Sequence, residues 1–323
     1  MKMQFAVVGV CLFLTGLSSV TAESMKDSAK PSNSEGQGSS AYLGEPVPGE
    51  KPVIFAPEFL SARYHFVARL AFSPDGTECY FTVTDATFAH PKILWTRLTD
   101  GVWSEPIQPS FADSNWKNHE PFISHDGTKL YFTSDRQAQP ATNRRDFWVV
   151  ERTSSGWSEP TRLPAPINSD FTEFFFCQGG DGTIYFSSNR PGGSSQLDIY
   201  RVRQIPGQPA QAENLGPVIN GGIYNGDACI APDGRFLVFG TVRMDGRGGM
   251  DLYVTFPNGS GGWTAPTSLG NEFNTSADEY GPTLSPDQKY LFFTRHDGTK
   301  ADVNWVQASV LEKIRSAVLP EGK

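Results

Sequence analysis

Five histidines, a recurring set of carboxylates and a recurring arginine carry most of the chemical reach of this 323-residue chain. His65, His90, His119 and His296 stand in polar stretches beside apolar runs, and His125 sits in an Asp-Gly turn. Imidazole is the commonest metal ligand and the commonest acid–base group near neutral pH. The first four could therefore hold a divalent metal, the one cofactor these residues suggest. They could also work without a metal, or simply decorate polar loops. Carboxylates recur as well. Counting back from successive turn aspartates, with two extra residues allowed in QGGDG at 178–182, puts Arg69, Glu120, Glu173, Asp227 and Gly281 at one equivalent position. With His119 beside them, Glu120, Glu173 and Asp227 form the candidate catalytic set. Glycoside hydrolysis needs two carboxyl groups, about 5–5.5 Å apart for retention or about 6.5–9.5 Å for inversion. A solvated acidic rim, or a cation site without catalysis, is the plain alternative.

Arg136, Arg190, Arg243 and Arg295 each close one strand, and Asp146, Asp198, Asp251 and Asp302 each open the next. An ion pair between them is the economical reading. A cluster gripping a carboxylate or sulfate by bidentate hydrogen bonds is the functional one, and Arg69 would join it. Trp116, Tyr64 and Tyr224 lie in polar loops, where aromatic rings could stack on a sugar or a peptide side chain. Trp103, Trp157 and Trp263 read instead as packing anchors. The sequence has no nucleophile elbow, phosphate-cradling loop, HExxH motif or dinucleotide fingerprint.

The elements that must position these residues repeat. A turn appears as SPDG at 73–76, SHDG at 124–127, GGDG at 179–182, APDG at 231–234 and SPDQ at 285–288. Its Asp recurs at steps of 51, 55, 52 and 54 residues. Pro presets φ, Asp bonds to its own backbone, and Gly takes the positive φ that follows. An alternating aromatic run comes after each turn, among them KLYFTS and TIYFSS, and alternation with period two marks a strand. A third strand follows a polar loop, as in DIYRVR and DLYVTF. The motifs GVWSEP at 101–106, GWSEP at 156–160 and GWTAP at 262–266 suggest a fourth, replaced in the third repeat by NLGPVIN at 214–220.

Four short strands repeated at this period predict an all-β propeller. Five four-stranded blades are expected, with KPVIFAPEFLS at 51–61 supplying the strand that closes the last one. Six blades, one of them irregular, is the competing count. SVLEKIRSAV at 309–318 reads as a short C-terminal helix.

The segments SSNRPGGSSQLDIY at 187–200, SDRQAQPATNRRDFW at 134–148 and GTVRMDGRGGMDLY at 240–253 resemble the WD-like repeat of TolB-type propellers. The resemblance runs over about residues 51 to 310. TRHDGTKADVNW keeps it weakly, and VTDATFAHPKILW lacks the Arg and the Asp. The resemblance implies fold more than function, because such propellers include binding proteins, interaction modules and some enzymes. Among the enzymes, oligogalacturonate lyases imply histidine-held metal at the channel mouth. Furanosidase-type glycosidases imply acids on the inner strands.

Residues 1–22 have a basic start, an apolar run and Val20-Thr21-Ala22, the pattern of a signal peptide. Residues 23–50 read as a disordered linker, and 51–323 as one propeller domain. Loss of residues 1–22 removes only Lys2, leaving 26 basic against 35 acidic side chains. That balance argues against a nucleic-acid partner, and no membrane insertion is expected after signal cleavage. A monomer in the periplasm or secreted is expected. Its ligand would be a glycan or an envelope protein on the loop face. Carbohydrate-active hydrolysis or lysis at the channel mouth is the alternative, and an envelope scaffold is the second.

Overall fold

The computed structural model describes residues 41–85, 87–136 and 144–319. The expected signal peptide and most of the expected linker lie outside these residues, as does the middle of the 134–148 loop. Strand β1 (Val53–Ile54) comes first. The first repeat then forms β2 (Phe66–Phe72), β3 (Glu78–Thr84), β4 (Lys92–Thr99) and β5 (Val102–Trp103). The second forms β6 (Asn118–Ile123), β7 (Lys129–Ser134), β8 (Asp146–Thr153), β9 (Gly156–Trp157) and β10 (Thr161–Arg162). The third forms β11 (Glu173–Gln178), β12 (Ile184–Ser188), β13 (Asp198–Val202) and β14 (Ala212–Asn214). The fourth forms β15 (Tyr224–Ile230), β16 (Leu237–Val242), β17 (Asp251–Thr255) and β18 (Thr267–Ser268). The fifth forms β19 (Asp278–Leu284), β20 (Tyr290–His296) and β21 (Ala301–Gln307), followed by helix α1 (Ser309–Val318).

Within each repeat the strands pair antiparallel in chain order. The fifth repeat takes its outer strand from the start of the chain, Val53 pairing with Trp305 and Ile54 with Asn304. The first and fifth repeats also touch through one parallel pair, Phe66 with Ala301. The hydrophobic core lies between neighbouring repeats. Tyr80 and Ile93 of the first pack with Phe132 and Trp148 of the second. Phe147 packs with Phe186, Ile199 with Phe239, and Leu252 with Phe293, each across a boundary. Phe292 and Trp305 of the fifth close on Phe72 and Phe81 of the first. Each fully buried aromatic of this kind contributes roughly 1.5–3 kcal/mol.

Two expectations shift. The Gly-Trp motifs begin the outer strands but do not fill them. Trp103 and Trp157 sit in hairpins against β4 and β8, and the edge pairing resumes past the following proline. Proline lacks the N–H that a continuous ladder needs. Trp157 does serve as an anchor, donating from Nε1 to the Tyr80 hydroxyl at 2.8 Å across a repeat boundary. Residues 41–50, assigned by composition to the linker, dock where the fifth repeat meets the first. Tyr42 packs edge-on against Phe72 and Tyr290, each at 5.2 Å, and Gln307 donates to the Gly49 carbonyl.

The turns behave as their residues dictate. Asp126 Oδ1 accepts from Ser124 Oγ at 2.6 Å and from Thr128 N–H at 3.0 Å. These bonds hold its carboxyl down at about 2. In the fifth turn Gln288 occupies the glycine position with φ of 58°. A left-handed conformation is costly for a residue with a Cβ. Gln288→Gly is expected to raise stability by about 0.5–1 kcal/mol. The urea midpoint checks it, and a lower midpoint would mean that the Gln288 side chain makes a compensating contact.

Candidate functional site

Each inner strand kinks at one residue. Arg69, Glu120, Phe175, Asp227 and Gly281 have φ of 28°, 58°, 60°, 56° and 62°, and the pairing register slips at each. Non-glycine residues held there cost of order 1–3 kcal/mol each, and such strain gathers at functional positions. Each kink lies six residues before its turn aspartate, with no insertion in the third repeat. Phe175 therefore holds the place expected for Glu173. The allowance of two extra residues was unnecessary, because every inner strand crosses the same depth before its turn.

The kink turns a backbone N–H out of its own sheet and across the repeat boundary. Arg69 donates to Thr294 Oγ1 at 3.3 Å and Glu120 to Thr82 Oγ1 at 2.9 Å. Phe175 donates to Glu120 Oε2 at 2.9 Å, and Gly281 to Asp227 Oδ2 at 2.7 Å. Glu120 also accepts from Thr133 Oγ1 at 2.9 Å, and His119 Nδ1 lies 3.2 Å from its Oε1. The Arg69 guanidinium reaches the Phe176 carbonyl and faces the Phe175 ring.

Two carboxyls on this floor are pushed in opposite directions. Burial works to raise Glu120, but His119, Arg69 and the Phe175 N–H overcome it and leave its pKa lowered. Burial and the nearby Glu120 charge drive Asp227 well above the ordinary carboxylate range. Its Oδ1 is buried with no partner among the described residues. Tyr224 is half-buried, and its pKa is raised by burial and by Asp227 and Glu120. The two carboxyls are thus driven apart in acidity, Glu120 below and Asp227 well above the ordinary carboxylate range, the division an acid–base pair needs. It is closed, however: Glu120 is 8% exposed and Asp227 1%. Beneath it Cys177 and Cys229, distant in sequence, are hydrogen-bonded thiols, and Cys229 is pushed up by that bond and by burial.

The remaining expected site residues land elsewhere. Glu173 is fully buried and accepts from Arg190 Nη2 at 3.0 Å and Ser169 Oγ. Burial raises its pKa more than those partners lower it. Arg295 pairs with Glu279 at 2.8 Å, and Arg136 donates to Asn118 Oδ1 at 2.7 Å. These arginines do not pair with the aspartates that open the third strands. Asp146 takes Arg162, Asp302 takes Lys300, and Asp198 accepts from Ser194 N–H and Asn214. The arginines instead clamp the loop arriving from the previous repeat. Arg136, Arg190, Arg243 and Arg295 donate to the carbonyls of Phe111, Ile167, Ile219 and Phe273.

The histidines do not converge. His65 is exposed, His90 binds Asp85, and His296 is buried between Phe66 and Phe88. No group of three or more potential metal ligands exists among the described residues. Tyr64 is half-buried against Phe81 in the core rather than free for stacking.

His65 and Trp116, singled out from sequence, belong to one set of equivalent positions whose other members the sequence reading missed. Four residues before each kink stand His65, Trp116, Phe171, Ile223 and Ala277. Trp116 and Phe171 are each 39% exposed and Ile223 52%, and Met244 projects nearby at 94%. The count that locates the kink also locates this ring. The misplaced Glu173 hid it.

No protein-family model matches the chain, and no curated protein does. Solved structures do. An α-L-arabinofuranosidase from Lactobacillus brevis is 12% identical with a TM-score of 0.50, over 75% of this chain and 92% of that one. TolB from Acinetobacter baumannii is 15% identical at 0.46, and the chain covers 57% of its length. A putative TolB from Agrobacterium tumefaciens is 18% identical at 0.48, over 75% of this chain and 77% of that one. At such identities the likeness concerns the fold alone. The protein is a β-propeller.

Asp227 binds its proton more tightly folded than unfolded, so its contribution is most favourable below its ordinary 3.8 and is lost as pH rises through the folded value. Asp227→Asn removes that loss and keeps an oxygen for the Gly281 N–H. The variant should melt higher than the parent near neutral pH, with the gain vanishing by about pH 3. A lower melting point near neutral pH would show Asp227 ionised against Arg69. For the clamp, a double-mutant cycle between Arg190 and Glu173 should give a coupling of about 1–3 kcal/mol, against under about 0.5 for Arg190 and Asp198. Equal couplings would restore the pairing expected from sequence.

Proposed function

We propose that this chain is an exported TolB-type propeller of five blades, closed by β1, that binds a ligand on its loop face. The observation that carries this reading is the ring of Trp116, Phe171 and Ile223 above a closed channel floor. Exposed apolar side chains at equivalent positions of successive repeats, rather than scattered singly, point to an interaction site. Aliphatic Ile223 and Met244 favour a polypeptide over a glycan, since sugar recognition draws on flat aromatic faces. Export rests on the pattern of residues 1–22. Catalysis is the second reading, favoured by the opposed acidities of Glu120 and Asp227. It requires the floor to open.

The test is binding of the purified protein to a peptide array and a glycan array, with Trp116→Ala and Phe171→Ala beside it. Peptide binding weakened about tenfold or more by either variant, at unchanged melting temperature, is the expected result. Binding indifferent to both variants, or absent from both arrays, would overturn the reading. Hydrolysis or cleavage of an arrayed glycan, abolished by Glu120→Gln, would establish catalysis instead.

A further inference from the structure

Arg243 is the exception among the four clamps. The only hydrogen bond of its guanidinium among the described residues runs from Nη2 to the Ile219 carbonyl at 3.2 Å, and its Nε is buried without a partner there. Arg190 and Arg295 each hold a carboxylate, and Arg136 holds the amide oxygen of Asn118. The corresponding residue beside Arg243 is Asn225. Its Oδ1 is already taken by Gly222 N–H and Thr241 Oγ1, both at 2.9 Å. The guanidinium lies over the Tyr253 ring, which fixes its plane, and no carboxylate pairs with it among the described residues.

This cation lines a cleft of about 460 Å³ between the third and fourth repeats. Ser194, Ser195, Gly221 and Gly222 form its other walls, and Ile223 and Met244 flank it. A Cβ on Gly222 would meet Thr241 Oγ1 at 2.3 Å and the Val242 carbonyl at 2.6 Å, so backbone approaches closely here. A planar guanidinium with unused donors recognises a two-oxygen anion by paired hydrogen bonds. Methionine beside it offers an adaptable apolar surface.

We propose that the cleft binds a free carboxylate carried next to an apolar side chain, as at the C-terminus of a polypeptide. The carboxylate bonds to Arg243, and the side chain rests on Ile223 and Met244. This rests on the reading of the loop face as a binding surface, and it names the end of the partner that is held. A uronic acid also has a carboxylate, but the cleft has no exposed flat ring on which a sugar would stack.

The probe is a set of fluorescein-labelled pentapeptides ending in Leu, Ile, Met or Phe, each as free acid and as C-terminal amide, with oligogalacturonate as a separate arm. Fluorescence anisotropy is read with the full chain. Free acids should bind at least about tenfold more tightly than amides. Arg243→Gln should erase that difference while its melting temperature reports intact folding. Met244→Ser, at an exposed position outside the core, should weaken the acids several-fold and leave the Arg243-dependent preference in place. Equal binding of acids and amides, a preference that survives Arg243→Gln, or no peptide binding would each overturn the proposal. Oligogalacturonate bound through Arg243 in place of peptide would overturn it too. Peptide binding that Trp116→Ala removes and Arg243→Gln spares would overturn this proposal and leave the loop-face reading standing.

Discussion

The backbone N–H of the kinked residue in four of the five inner strands is the constraint on which the rest depends. At positive φ that N–H points away from its own sheet, and a buried donor without an acceptor is expensive. Thr82, Thr294, Glu120 and Asp227 supply acceptors, each from the repeat before. Four of the five boundaries between neighbouring repeats are thereby held in one register. The apolar clusters between them add most of the cohesion, but those contacts are not directional.

The same constraint explains why charge lies on the channel floor. A carboxylate accepts more strongly than a hydroxyl, and two of the acceptors are Glu120 and Asp227. Arg69 sits among them and offsets part of the charge. The unshared burden falls on Asp227, which has one oxygen without a partner among the described residues and whose pKa burial and Glu120 drive up. Acidity that looks catalytic is thus also what a shared structural belt produces when two carboxyls meet in a confined space.

A repeated device becomes informative where one copy departs from the rest. Arg136, Arg190 and Arg295 each bond both to an incoming loop and to a partner in the inner strand. In the fourth repeat Thr241 and Gly222 occupy Asn225, and Arg243 is left facing a cleft. A small change in who bonds to Asn225 separates a structural arginine from one with spare capacity.

Strand order, turn chemistry, the closing strand at Val53–Ile54 and the C-terminal helix were legible from sequence, because they rest on local periodicity and on residues with fixed conformational tastes. The Trp157 anchor was legible for the same reason. What lay beyond the sequence was set by distance across repeats. No spacing reveals that Arg190 reaches Glu173 rather than Asp198, that Cys177 meets Cys229, or that four histidines on similar loops never meet. The kink was countable, six residues before each turn, yet its meaning was not. Only the tertiary structure shows that it sends an N–H into the preceding repeat. That act decides which side chains share the channel floor and which, like Trp116, Phe171 and Ile223, are left facing solvent around its mouth.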